Sequence, residues 1–172
     1  MSSPSTVRVA GPKDLAEVWR LLIESHEENS LFPLAPEKVR WLVNRVIYPE
    51  TIPLDDTGIR GIIGVIGPIG ALEGLVLLTV GSFWYSNAQH IEEYLAVVDI
   101  RHRRSGHAKA LVAFMKSQVD LTGLPLVTGI MSTIRTEAKC RLYQRMMPKI
   151  GEFFFVTPKG SNMTPSLSMV SS

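Results

Sequence analysis

A short basic segment between an apolar strand and a helix carries the residues whose types and spacing best suit chemistry. Arg103 and Arg104 precede Gly106 and Ala108, and an apolar run ends at Val98. The first N–H groups of a helix lack intrahelical partners and the helix dipole is positive there, so such a helix start attracts anions. Gly106 also lets a ligand approach the backbone closely. The segment therefore predicts a phosphate-binding site.

Two other interpretations of this segment stay open from the residues alone. Basic side chains between a strand and a helix are often just a solvated loop. A nucleic-acid surface built on 101–104 is less favoured, because 18 Lys and Arg against 16 Asp and Glu leave a net charge of only +2. A chain that coats nucleic acid is usually more basic and interleaves stacking aromatic residues.

The elements that must position this segment follow from hydrophobic periodicity and turn residues. The pattern predicts strands at 6–10, 59–66, 71–84, 90–99, 126–132 and 151–156. It predicts helices from about 15 to the prolines at 33–36, from about 36 to 47, over 106–120 and over 136–147. Strands first occur as a run and then alternate with helices. This order predicts an α/β (α+β) fold, with a mixed, mostly antiparallel central sheet and helices on both faces.

Composition predicts one globular domain over 1–156 and a Ser/Thr/Pro-rich tail over 157–172, since 45% of the 172 residues are apolar. Cys140 is the single cysteine, which excludes an intramolecular disulfide framework and a multi-cysteine zinc site. The four histidines show no metal-ligand spacing, so no metal is expected. The sequence shows no secretory signal pattern and no membrane-spanning run, so a cytoplasmic protein is expected.

The segment Arg103-Arg104-Ser105-Gly106-His107-Ala108 resembles the R/Q-x-x-G-x-G/A signature of the GNAT superfamily of N-acetyltransferases. The element order is similar to that of the family over about 6–156. The resemblance implies acetyl-CoA as acyl donor, with strand 92–98 splayed from strand 126–132 to admit the pantetheine arm. The implied coenzyme-binding residues are Val97, Val98, Arg103, Arg104, Ser105, Gly106, His107, Ala108 and Lys109.

The same resemblance implies a catalytic tyrosine. The stretch 142–145, Leu-Tyr-Gln-Arg, resembles the family segment whose tyrosine protonates the leaving thiolate, which makes Tyr143 the candidate acid. A packed core tyrosine is the alternative interpretation. The chain departs from the family pattern near Pro148, where three residues intervene before Gly151. This departure puts the acceptor pocket in doubt more than the coenzyme site.

The general base is less clearly indicated. Glu92 and Glu93 lie on one strand, where alternation places their side chains on opposite faces, and one of them could face the cleft. Exposure to solvent is the alternative for each glutamate. His90 and Tyr94 are weaker candidates for the same role.

The leading hypothesis is an N-acetyltransferase in which an amine attacks acetyl-CoA directly in a ternary complex. The acceptor, a small-molecule or protein amine, is not identified, although acidic residues at 50–57 suit a cationic amine as well as plain solvation. The alternative is a non-catalytic GNAT-like binding or assembly protein. Apolar strands at 59–85 and 153–155 favour such an interface and a homodimer. Neither a nucleic acid nor a membrane is expected as a partner.

Overall fold

The computed structural model describes residues 6–29, 31–49, 60–132, 134–152 and 156. Its sheet contains five strands in chain order, of which the first four are antiparallel and the fifth runs parallel to the fourth. The strands are β1 (Arg8–Val9), β2 (Arg60–Ile66), β3 (Gly74–Ser82), β4 (Gln89–Val98) and β5 (Leu126–Val127). The predicted mixed, mostly antiparallel sheet is confirmed.

Among the residues that the structure describes, four α-helices cover the two faces of this sheet: α1 (Leu15–Asn29), α2 (Pro36–Ile47), α3 (His107–Thr122) and α4 (Thr136–Met146). On one face, α1 and α2 bury an apolar cluster that includes Leu21 and Leu75. On the other face, α3 and α4 pack on a second cluster that includes Leu78 and Met115. The periodic apolar stripes of the helices therefore predict which faces are buried.

A β-bulge interrupts the alternation of β4. Leu77 of β3 pairs with Leu95, whereas the next residue, Leu78, pairs with Glu93, so Tyr94 has no opposite residue. A bulge of this kind resets the faces on either side of it. Before the bulge, Glu93 lies on the sheet face that α3 and α4 cover. After the bulge, Leu95 lies on the opposite face and packs in the α1–α2 cluster. No local pattern of residues predicts this bulge.

Strand β5 is shorter than the predicted 126–132. Within the described residues it pairs with β4 at Ile91↔Leu126 and Glu92↔Val127. The next residue, Thr128, turns its hydroxyl to the Glu93 carboxylate, and Gly129 follows, a residue that weakens strands. The carboxyl-terminal half of β4 is thus left without β5 beside it. This unpaired part of β4 is where the resemblance implies a V-shaped gap between the two strands.

Some predicted features lie outside the described residues. They are the acidic loop 50–57, the three phenylalanines at 153–155 and the tail from 157 onward. The homodimer and the last strand, which depend partly on them, stay predictions. In the described part of the chain, no helix is long and apolar enough to cross a membrane, and no group of three or more His, Cys, Asp or Glu is arranged to hold a metal ion.

Candidate functional site

The loop after β4 is shaped by Asp99, whose side chain is almost fully buried. Its carboxylate accepts hydrogen bonds from the Arg101 backbone N–H at 2.9 Å, from the Arg101 guanidinium at 2.7 Å and from Arg20 of α1 at 3.0 Å. These hydrogen bonds hold the pKa of Asp99 well below its usual range, and the bond from the Arg101 side chain has the largest effect. Asp99 therefore fixes the short 3-10 turn Ile100–His102 that leads to α3.

We expect Asp99→Asn to destabilise the fold by about 1–3 kcal/mol at neutral pH, because a charged acceptor of several hydrogen bonds is lost. The folded pKa of Asp99 lies below the unfolded value, so its stabilisation is present above the unfolded pKa and disappears as pH falls through the folded pKa. Urea unfolding from pH 7 to pH 3 measures the difference between variant and wild type. A difference that stays constant or grows toward low pH would contradict this assignment.

The start of α3 presents the predicted anion site to solvent. Ala110 N–H donates to the Gly106 carbonyl at 3.0 Å, so the N–H groups ahead of it at Ala108 and Lys109 are the helix-start donors without an intrahelical acceptor. Both residues are exposed, as are Arg104 and Ser105. A Cβ at Gly106 would meet no heavy atom within 4 Å. This helix start is open to a ligand.

His107 is the exception among the predicted coenzyme-binding residues of this segment. Its side chain is buried and its Nε2 lies 2.5 Å from Glu73 Oε2. The ring also stacks on His102, with centroids 5.7 Å apart. His107 thus anchors the helix start to the β2–β3 turn through its side chain, and its backbone N–H donates to Ser105 Oγ at 3.2 Å.

A cleft of about 270 Å³ adjoins the loop, between α1 and the end of β4. Its lining includes Val97, Val98 and Arg103 on one side and Ser25 and Glu28 of α1 on the other. The guanidinium of Arg103 forms an ion pair with Glu28 across this cleft. A phosphate that uses Arg103 must therefore share it with Glu28 or displace that carboxylate.

Lys139 on α4 is a residue of this region that the sequence analysis missed. It is half-buried, and its Nζ donates to Ser132 Oγ at 2.6 Å. Burial, followed by the charge of Arg103, lowers its pKa. Lys139 lies one helical turn before Tyr143, and this spacing was the only sign in the sequence that it could belong to the same site. The spacing alone does not show that the Lys139 side chain lies near Arg103.

The free edge of β4 offers backbone donors inside the V-shaped gap. Ile91 N–H points to the β5 side, where it donates to Pro125 O at 2.8 Å, whereas Asp99 N–H donates to Glu73 O on the β3 side at 2.9 Å. Alternation back from Asp99 places Val97 N–H toward β3 and the N–H groups of Val98 and Ala96 toward the gap. Of the two predicted valines, therefore, only Val98 directs its backbone N–H into the gap. Ala96, which was not predicted, directs its N–H into the gap as well.

Tyr143 lies where β4 and β5 part. Its hydroxyl donates to both carboxylate oxygens of Glu93, at 2.8 Å each, and Thr128 donates to the same carboxylate. Burial raises the pKa of Glu93. Burial and the adjacent Glu93 charge raise the pKa of Tyr143, so its phenol stays protonated.

Glu92 and Glu93 point to opposite faces of the sheet, as alternation predicts. On the face away from Tyr143, Glu92 Oε1 lies 2.8 Å from Nε2 of the buried His90. The Glu92 side chain is about one third exposed, whereas the Glu93 carboxylate is occupied by two hydroxyl donors. Glu92 is thus the glutamate that a solvent-borne ligand can reach.

Several solved structures that this chain resembles in three dimensions are acetyltransferases. A ribosomal-protein-alanine N-acetyltransferase from Brucella melitensis biovar Abortus 2308 matches at TM-score 0.61 and 16% identity, covering 91% of this chain and 99% of its own. An aminoglycoside acetyltransferase from an uncultured soil metagenomic sample matches at TM-score 0.60 and 19% identity, covering 92% and 99%.

The aminoglycoside acetyltransferase AAC(6')-Iy, solved with a bisubstrate analog of CoA and acetylneamine, matches at TM-score 0.61 and 15% identity, covering 91% and 99%. No protein-family model and no curated protein sequence matches the chain. The agreement is therefore one of three-dimensional structure, over nearly the whole of the chain and of each neighbour. The chain has the fold of the GNAT acetyltransferases.

Proposed function

We propose that this protein is an N-acetyltransferase that moves an acetyl group from acetyl-CoA to an amine. The observation that carries the proposal is the gap between β4 and β5, which has an open helix start at one end and the Tyr143 hydroxyl at the other. A long anionic thioester fits such an arrangement, with its phosphates on the helix start and its sulfur near the tyrosine. The acetyltransferase fold and its CoA-analog complex support the same assignment.

The coenzyme is held mainly by backbone groups in this proposal. The N–H groups at the start of α3 bind the pyrophosphate, Arg103 adds positive charge in the lining of the cleft, and Lys139 adds charge near Arg103. Val98 and Ala96 present their N–H groups to the pantetheine and the thioester carbonyl. A backbone donor aimed at the carbonyl oxygen stabilises the negative charge that develops during attack.

Glu92 is proposed as the general base and Glu93 as a positioning residue. Glu92 is accessible and is oriented by His90, so it can take a proton from the bound ammonium, directly or through one water, and leave the neutral amine to attack the thioester. Glu93 is enclosed by Thr128 and Tyr143. It fixes the tyrosine hydroxyl at the point where the strands part.

Tyr143 is proposed to stabilise the leaving thiolate. The N–C bond forms as the C–S bond breaks, and the sulfur leaves with the electron pair. A thiol has a reference pKa near 8.5, below the raised pKa of Tyr143, so the phenol acts chiefly as a hydrogen-bond donor to the sulfur. For this role the phenol turns its proton from the Glu93 carboxylate to the sulfur, and Glu93 keeps Thr128 as a donor.

Release of free CoA thiol across a panel of primary amines tests the proposed reaction. We expect thiol release that depends on both acetyl-CoA and an amine, with the acetylated amine detected by mass spectrometry. A protein that binds CoA but releases no thiol with any amine would instead favour the non-catalytic binding or assembly protein.

Glu92→Gln is expected to lower kcat about 10²–10⁴-fold, the range for loss of a positioned general base, and to leave CoA affinity nearly unchanged. The reaction should recover partly at higher pH, where more of the amine is already deprotonated. Glu137→Gln, at an exposed position on α4, is the matched control and should behave as wild type. Unchanged kcat in a folded Glu92→Gln protein would remove Glu92 from the proposed mechanism.

A further inference from the structure

Three consecutive aromatic residues follow β3 and expose their rings in the loop to β4. Phe83 is 41%, Trp84 95% and Tyr85 68% exposed. The rings of Phe83 and Tyr85 stack with their centroids 5.4 Å apart and their planes 5° from parallel. The rings of Trp84 and Tyr85 form an edge-to-face pair with an interplanar angle of 85°. We name these three residues the aromatic corner. Large apolar surface held open to water in a fixed arrangement marks a site of binding.

The aromatic corner is connected to Glu92 through His90. Phe83 stacks on the His90 ring at 4.4 Å, and His90 Nε2 lies 2.8 Å from the Glu92 carboxylate. Gly81 on β3 leaves the space that this carboxylate fills, since a Cβ there would come within 2.9 Å of it. The rings and the carboxylate therefore keep a fixed, short separation.

The aromatic corner lies at the amino-terminal end of β4, and the loop proposed to hold the phosphates follows its carboxyl-terminal end. A coenzyme that lies along the free edge of β4 leaves this opposite end to the second substrate. An acceptor that brings its amine to Glu92 then has the aromatic corner beside it. This step rests on the proposed function.

We propose that the aromatic corner and Glu92 together bind the acceptor, a primary amine joined to an aromatic ring by a short alkyl linker. The acceptor ring stacks against Tyr85 and the edge-on Trp84, in the offset and edge-to-face geometries that aromatic groups prefer. Its ammonium group forms an ion pair with the Glu92 carboxylate, and cation–π contacts with the electron-rich rings attract it during binding. The site thus recognises both the ring and the positive charge of the acceptor. An amine without a ring would form only the contact with Glu92.

Three amines separate the contributions: 2-phenylethylamine, 2-cyclohexylethylamine and propylamine. With wild-type protein and acetyl-CoA, we expect kcat/KM to fall in that order, by about tenfold or more between the first and the last. Tyr85→Ala should raise KM for 2-phenylethylamine about 3–10-fold, the range for one lost aromatic pair, with kcat little changed. Leu121→Ala, an exposed apolar residue at the far end of α3, is the matched control.

Calorimetry with the CoA-bound protein gives a readout that does not depend on turnover. Tighter binding of 2-phenylethylamine than of propylamine, lost in Tyr85→Ala, supports the proposal. Equal affinity for the two amines, or an unchanged Tyr85→Ala variant, overturns it even if thiol is released. Failure to bind CoA would count against the proposed function, and the same two amines titrated into the coenzyme-free protein would still test the aromatic corner. Sedimentation in which Trp84→Ala converts a dimer to a monomer would assign the corner to a second copy of the chain and also overturn the proposal.

Discussion

A Gly106→Glu variant is expected to fold normally and to lose more than about 10²-fold in affinity for acetyl-CoA. Gly106 has ordinary backbone angles and open space where a Cβ would be added, so the fold has no reason to resist the change. The new carboxylate would stand at the helix start proposed for the pyrophosphate. Like charges brought together in a binding site cost several kcal/mol, and every 1.4 kcal/mol is tenfold in affinity.

Gly11→Glu is the matched control for this prediction. Gly11 is likewise open to a Cβ and follows β1, at the edge of the sheet three strands from β4. Circular dichroism and thermal unfolding verify that both variants fold, and calorimetry measures their affinity for acetyl-CoA. Unchanged affinity in the Gly106→Glu variant would mean that the helix start does not hold the phosphates.

Tyr143→Phe is expected to lower kcat about 10²–10³-fold, as the loss of one preorganised donor to a developing charge does in other enzymes. Affinity for CoA should change little, because the aromatic ring is kept. The lost hydroxyl donates to Glu93, which retains Thr128 as a donor. Unfolding free energy should therefore fall by no more than about 1–3 kcal/mol, and it must be measured beside the rate.

Tyr94→Phe is the corresponding control, since Tyr94 is a half-exposed tyrosine at the bulge of β4. Its kcat is expected to match that of the wild type. A folded Tyr143→Phe protein with undiminished turnover would exclude Tyr143 from the chemistry. Loss of turnover in Tyr94→Phe instead would assign the donor role to Tyr94.

The local signals in the sequence predict where α3 begins, because a helix start is determined by neighbouring residues. The apolar run to Val98, the small residue Gly106 and the apolar stripe beyond it are all read within a few turns of chain. The run of strands followed by alternating strands and helices likewise predicts the mixed, mostly antiparallel sheet. The same reasoning predicts that Glu92 and Glu93 face opposite sides.

The features that escaped prediction depend on contacts between distant parts of the chain. The bulge at Tyr94 exists only in the pairing of β3 with β4. Thr128 and Lys139 become site residues because β5 ends early and α4 turns toward Arg103. Ala96 gains its role from the direction of its N–H after the bulge. Periodicity within one segment carries none of this information.

A crystal structure of the protein with bound acetyl-CoA would show whether the coenzyme occupies the proposed site. We expect the pyrophosphate on the N–H groups at the start of α3, the pantetheine along the free edge of β4 and the sulfur beside the Tyr143 hydroxyl. A coenzyme bound elsewhere, or a sulfur far from both Tyr143 and Glu92, would contradict the proposed acetyl transfer.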